Sequence, residues 1–258
     1  MNLFGFEIKR KEDDVPELPS FTPPVDDEGS VVVTAGGSYG TYVDLEGSAK
    51  SEAELVTKYR NIAQQPEAHK AIDDIVSEAI VISDDERVVE CVTDDLKMAE
   101  NIKTRIREEF ENVLKLLDFS NKGYDIFQKW YVDGRLYYHV IVDEKKIREG
   151  IKELRVVDPK RLRKIKEMEK KRENDVIVTR LKNEYFMYNE KGFDKKDATI
   201  GISSGLQGLK IAKDSIVHTT SGLLNETNTL VLSHLHKAIK PMNQLRMLED
   251  ASVIYRIS

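Results

Sequence analysis

Lys129-Trp130-Tyr131-Val132-Asp133-Gly134-Arg135-Leu136-Tyr137-Tyr138-His139-Val140-Ile141-Val142 is the stretch where the chain changes its period. From about Lys122 to Asp133 the spacing is helical, and Gly134 stands where a left-handed residue closes a helix. From Arg135 to Val142 the residues are aromatic or β-branched, which predicts a strand. Three further strand-like runs follow: Ile151 to Val157, Val176 to Tyr188 and Leu209 to His218, divided by Gly, Asp and Pro. Helices, then strands, then helices again predict an α+β fold. No internal repeat is present.

Upstream, the clearest helix spans about Asp95 to Asp118. Leu96, Ile102, Ile106, Phe110, Val113, Leu114 and Leu117 form one stripe on it, with charges opposite. Ser51 followed by Glu54 reads as a capping box opening a helix to about Gln65, with Leu55, Tyr59 and Ile62 on one face. Pro66 opens another, at a position where a missing N–H costs nothing; Ile72, Ile75, Val76, Ala79 and Ile80 follow helical spacing. Val88 to Val92 reads as a short strand. Residues 1–50 carry Pro16, Pro19, Pro23 and Pro24 among acid pairs, then Gly36, Gly37 and Gly40. Little apolar surface there offsets backbone entropy, so a flexible arm is expected, with Val31 to Val33 able to dock as a strand.

Downstream, helix resumes near Thr229, breaks before Pro241 and restarts there. Met242, Leu245, Leu248, Val253, Ile254 and Ile257 are read as an apolar side of this last helix. Gln244, Arg246, Glu249, Asp250 and Arg256 are its polar residues.

Among 258 residues, 40 Lys and Arg stand against 46 Asp and Glu, a net charge of −6. A sequence-blind DNA binder is usually basic, because neutralising phosphates supplies most of its affinity. Either duplex is not the partner or it is meant to pass ungripped. The one cysteine, Cys91, can form no intrachain disulfide, which fits a reducing compartment. No apolar run approaches the ~18 residues that cross a bilayer, and in residues 1–10 the charges follow the apolar residues, the wrong order for a secretory signal.

Gly201-Ile202-Ser203-Ser204-Gly205 matches the G-x-S-x-G nucleophile elbow, with Asp214 and His218 following in hydrolase order. That elbow needs a tight turn from strand to helix, whereas the residues before it, Lys195 to Thr199, read as a polar loop. A Ser/Gly loop explains the match better, and a serine hydrolase using Ser203 stays as an alternative. His234 and His236, two apart on a helix, point to different faces and cannot share an ion. His69, His139 and His218 are isolated, so no metal site is expected. The acid pairs Asp73-Asp74, Asp84-Asp85 and Asp94-Asp95 diverge on a helix or flank element ends; Asp94 and Asp95 suit a helix start. No P-loop and no dinucleotide fingerprint occurs, so neither nucleotide nor other cofactor is expected. Lys160, Arg161, Arg163, Lys164, Lys166, Lys170, Lys171 and Arg172 form the strongest charge run. It reads either as a contact patch for DNA or an acidic partner, making the chain a nucleic-acid-binding module, or as a solvated hairpin or short helix.

The stretch from Lys129 to Arg135, the strand after it, and Gly150 to Arg155 followed by Val157-Asp158-Pro159 stand in a recognisable order and spacing. Glu184 to Tyr188, Ile216 to His218, Leu235 to Pro241, Asn243 to Leu245, Leu248 to Ala251 and Val253 to Ile257 continue it. Together they closely resemble the portal protein of T-even-like contractile-tailed bacteriophages, from about Ser51 to Ser258. The resemblance implies a non-enzymatic subunit of a cyclic, dodecameric ring at one capsid vertex, in virions assembled in the host cytoplasm. It implies that the ring starts capsid assembly with the major capsid protein and scaffold and docks the large terminase motor. It further implies that double-stranded DNA passes through without sequence specificity and that neck and tail connector proteins are seated later. The fold it implies is the phage portal fold: residues 1–50 a flexible arm, 51–240 a wing-type α+β domain, and 241–258 the start of the stem helix. The chain would then stop before clip and crown. Arg246, Glu249, Asp250 and Arg256 become expected channel-lining or subunit-contact residues.

Overall fold

The computed structural model describes residues 2–3, 6–7, 29–35, 45–81, 88–143, 145–173, 176–193, 208–225 and 230–257. Both helices and sheets are present, and the class is α+β. The chain divides into two compact units, one of Met1–Thr57 with Arg135–Leu232 and one of Lys58–Gly134 with Ser233–Ser258.

The first unit holds the strands. β1 (Asn2–Leu3) pairs with β2 (Phe6–Glu7). A four-stranded sheet runs in the order β3 (Val31–Ala35), β6 (Leu162–Glu173), β7 (Val176–Tyr188), β8 (Leu209–Ala212). A three-stranded one runs β5 (Ile151–Val157), β4 (Arg135–Val142), β9 (Ile216–Thr220). Strands 4, 5 and 7 lie where alternation predicts them. Tyr137 and Ile216 from the smaller sheet pack with Leu162 and Phe186 from the larger, and Val157, Tyr188 and Ile211 close around them. Alternation along β4 sends Tyr137 into this core and Tyr138 to the other face. Val31 to Val33 do dock as a strand: β3 lies parallel to β6, Val31 beside Ile165 and Ala35 beside Glu169. Its approach is fixed by Gly29, at φ +65°, where a Cβ would stand 2.8 Å from the Val231 nitrogen.

Two expectations are corrected here, and one pair of alternatives is decided. The basic run forms the hairpin of β6 with β7 and not a short helix. Leu162, Ile165 and Met168, all buried, recur every third residue and imitate a helix. In the strand Leu162 and Ile165 instead enter separate clusters, and a bulge between Glu167 and Met168 resets the register. Val88 to Val92 forms no strand, since no partner strand meets it among the described residues and Val92 stays exposed. The run Leu209 to His218 is broken by a 3-10 turn at Lys213–Ser215 into β8 and β9.

Helix α1 (Leu45–Ala63) begins six residues before Ser51, so Ser51 is interior and the capping box is not used. Leu45, Glu46, Ala49 and Lys50 are good helix formers and carry the helix upstream through Gly47. The second unit receives α1 from Lys58 on, with Tyr59 and Ile62 buried. There α2 (Pro66–Ala79) opens with Pro66 as expected and buries Ile72 and Val76. α3 (Glu100–Leu117) starts five residues later than Asp95, and Asp118, at φ 50°, turns it directly into α4 (Phe119–Asp133). α4 packs on α2 and α3, with the Tyr124 hydroxyl donating to Asp73 at 2.9 Å. The stripe on α3 is only half covered: Phe110, Leu114 and Leu117 are half-buried, Ile102 and Val113 exposed. Gly134, at φ 74°, closes α4 through its N–H on the Trp130 carbonyl. A 3-10 helix (His234–Ala238) leads into α5 (Ile239–Ile257), with Pro241 inside its first turn.

Candidate functional site

α5 buries none of its residues. Met247 is 71% exposed, Leu248 68%, Ile254 68% and Tyr255 84%. Apolar side chains left this open in water are a surface made to be covered. At about 100° per residue, the expected apolar side breaks up: Leu248 lies far from Met242, Val253 and Ile257, which share an arc with the charges, and Ile254 stands between the two groups. The i, i+3 step from Met242 to Leu245 to Leu248 drifts around the helix, so Leu245 and Leu248 leave the arc of Val253 and Ile257. From Pro241 on, Arg246, Glu249, Asp250 and Arg256 all fall within an arc of about 120°. Over the same residues the opposite side holds Gln244, Met247, Leu248, Ala251, Ser252, Ile254 and Tyr255, without a charge, while Lys240 in the first turn lies on that same side. Beyond Lys240, the helix thus presents a mixed-charge strip and a charge-free strip.

The base of α5 is built from tightly paired side chains. Ser233 caps the 3-10 helix, its Oγ accepting from the Leu235 N–H at 3.0 Å and donating to the Tyr131 carbonyl at 3.1 Å. The His236 Nδ1 lies 2.7 Å from the Tyr59 hydroxyl. His234 stacks on Tyr131 at 4.9 Å and meets Trp130 at 5.0 Å, and burial pulls its pKa below 6.5. Arg60 donates to both carboxylate oxygens of Asp133, at 2.9 and 2.7 Å, tying α1 to α4.

The basic run does not form one surface. Alternation along β6 turns Arg163 against the Phe193 ring, 4.4 Å from its centroid, and brings Lys164 to Glu184 at 2.8 Å. Arg163 and Lys164 are both buried. Arg161 is exposed, Lys160 and Lys166 are half-buried, and Lys170, Lys171 and Arg172 lie opposite Thr179, Val178 and Ile177 of β7. Sequence reading missed the buried partner of this run. Glu52 of α1 pairs with Arg135 and lies 3.9 Å from Arg163, while Arg135 also donates to the Val231 carbonyl at 2.5 Å. Glu52 stands three residues before Leu55 in the predicted helix, but nothing local marks it as an interior carboxylate.

Comparison with known proteins bears on both features. Residues 52–258 match the family described as the bacteriophage T4-like portal protein (Gp20). The chain belongs to the T4-like portal protein family. The portal protein of Vibrio phage KVP40 is 38% identical over 207 residues, covering 80% of this chain and 40% of that protein. The portal protein of Salmonella phage ViI is 35% identical over 238 residues, covering 90% of this chain and 42% of that protein. The chain therefore spans about two fifths of the length of these curated relatives. α5 falls inside the region shared with the portal family, as do Glu52, Arg135 and Arg163.

Against this portal framework the other candidate groups are plain. Ser203 and its Gly-x-Ser-x-Gly context lie outside the described residues, as do Asp84 and Asp85. Asp214 sits exposed on the 3-10 turn, whereas the His218 ring stacks on Tyr137 at 4.4 Å beside the sheet core. His234 and His236 meet different partners, as their spacing requires. His69 pairs with Asp73 at 3.3 Å, and the Asp94 carboxylate meets Arg107 at 3.4 Å before the helix begins. Among the described residues no group of three potential ligands could hold a metal ion, and no helix is long and apolar enough to cross a membrane.

Proposed function

We propose that this chain is a structural, non-catalytic part of the portal ring at the unique capsid vertex of a tailed phage. Residues 51–240 form its wing, residues 241–258 begin the stem helix, and residues 1–50 are an arm whose strand β3 clasps the sheet. The observation that carries the reading is α5, which belongs to the portal region, buries none of its residues and from Pro241 on divides into a charge-free and a mixed-charge strip. In a cyclic assembly with heterologous contacts, the charge-free strip packs on neighbouring copies. The mixed-charge strip of Arg246, Glu249, Asp250 and Arg256 turns towards the channel. Both signs of charge there let duplex slide, because a row of lysines would add a salt-dependent grip at every phosphate. The ring would dock the terminase motor, begin capsid assembly with the major capsid protein and scaffold, pass DNA in and out, and seat the neck proteins. In the host cytoplasm it would assemble as a dodecamer.

Substitutions on the two strips test this. Met247→Glu and Ile254→Glu place charge on the packing strip and should prevent oligomer formation by light scattering, with helical content retained. Oligomers that tolerate both substitutions would remove α5 from the subunit contact.

A further inference from the structure

α5 buries none of its own residues, so its direction is set by the 3-10 helix His234–Ala238 at its base. That helix sits in a cradle of α1 and α4. Leu235 is buried in it, His234 lies flat on Tyr131, and Ser233 bonds the Tyr131 carbonyl. The Arg60–Asp133 pair, one residue from Tyr59 and two from Tyr131, holds the two walls together.

The remaining contact is the bond between Tyr59 and His236, at 2.7 Å, with the rings edge to face at 6.0 Å. Tyr59 is wholly buried, and burial holds its phenol above the usual pKa, so it keeps its proton at any ordinary pH. The hydroxyl donates to His236 Nδ1 in the tautomer that carries the imidazole proton on Nε2. The buried phenol thus holds the middle of the turn, at His236.

We infer that Tyr59 and His236 are positioning residues, a latch that fixes the direction in which α5 leaves its unit. The consequence for assembly rests on α5 being the subunit contact. In a ring each copy meets the next at a set rotation, and a wandering contact helix does not close. The latch itself is a property of a single chain.

Pulsed electron–electron spin resonance tests it. Labels are placed at exposed Asp125→Cys on α4 and Ser252→Cys on α5, with Cys91→Ser to remove the native thiol and unlabelled chain added to suppress distances between copies. The native pair should give one narrow distance. In Tyr59→Phe and His236→Ala the fraction outside that peak should rise roughly fivefold, the weight of one net hydrogen bond, with circular dichroism unchanged. His236→Asn, whose amide oxygen replaces Nδ1 as acceptor, should restore the narrow peak. A Tyr59→Phe distribution that superimposes on the native one overturns the latch even if His236→Ala unfolds. So does His236→Asn as broad as His236→Ala. No ring is needed, so this result and the oligomer measurements stand or fall separately.

Discussion

Glu52→Gln removes one charge from a deeply buried ion cluster of the first unit. The carboxylate pairs with the Arg135 guanidinium and lies 3.9 Å from that of Arg163, with side-chain exposures of 9%, 1% and 5%. Burial pulls both guanidiniums below the usual arginine range, so both resist the charge they carry. Glutamine keeps the shape and one acceptor but leaves this positive charge uncompensated by Glu52. Breaking a buried pair by removing one partner costs about 3–5 kcal/mol. At about 2–4 °C per kcal/mol for a chain of this size, melting should fall by about 6–20 °C. Thermal and urea unfolding followed by circular dichroism measure it. The double variant Glu52→Met with Arg135→Met should recover the part of the loss that belongs to the Arg135 pair, while Arg163 still lacks Glu52. A loss below about 1 kcal/mol, the worth of an exposed pair, would refute the reasoning.

Other expectations are more local. Gly29→Ala brings a Cβ within 2.8 Å of the Val231 nitrogen at a left-handed φ, so β3 should detach and limited proteolysis should cut the arm first; unchanged cleavage would contradict that docking. Burial and the Glu167 carboxylate raise the Tyr185 phenol to about 12. The folded chain keeps a proton that the unfolded chain loses near pH 10, so this stability is full below about 10 and lost as pH rises to about 12. Tyr185→Phe should flatten that slope, and an unchanged slope would reject it. Arg246→Glu and Arg256→Glu should leave duplex affinity of the assembled ring nearly unchanged. A tenfold drop, about 1.4 kcal/mol, with the ring intact would mean these arginines grip DNA.

Much of the fold is written locally. Gly134, Pro66 and the Val/Ile/Tyr runs of β4, β5 and β7 each carry a signal that needs no distant partner. What escaped depends on pairing. β6 is charged and spaced by threes, and it is a strand because β3 and β7 flank it. Glu52 looks like any helix carboxylate until β4 and β6 bring two arginines to it. The α3 stripe is real in sequence, but its exposed half shows that a stripe says a face wants cover and not that this chain supplies it. For α5 the charges on one strip and their absence on the other follow from residue order alone, once about 100° is counted per residue. The latch at its base joins residues 59 and 236, and no local pattern announces it.

The central claim is that copies of this chain meet head to tail around a closed ring. Cryo-electron microscopy of the complete gene product measures it most directly. The account predicts a single cyclic ring, twelvefold in symmetry, with α5 of each copy against its neighbours near the axis. A stable monomer, an isologous dimer, or a ring with α5 on its outer rim would contradict it.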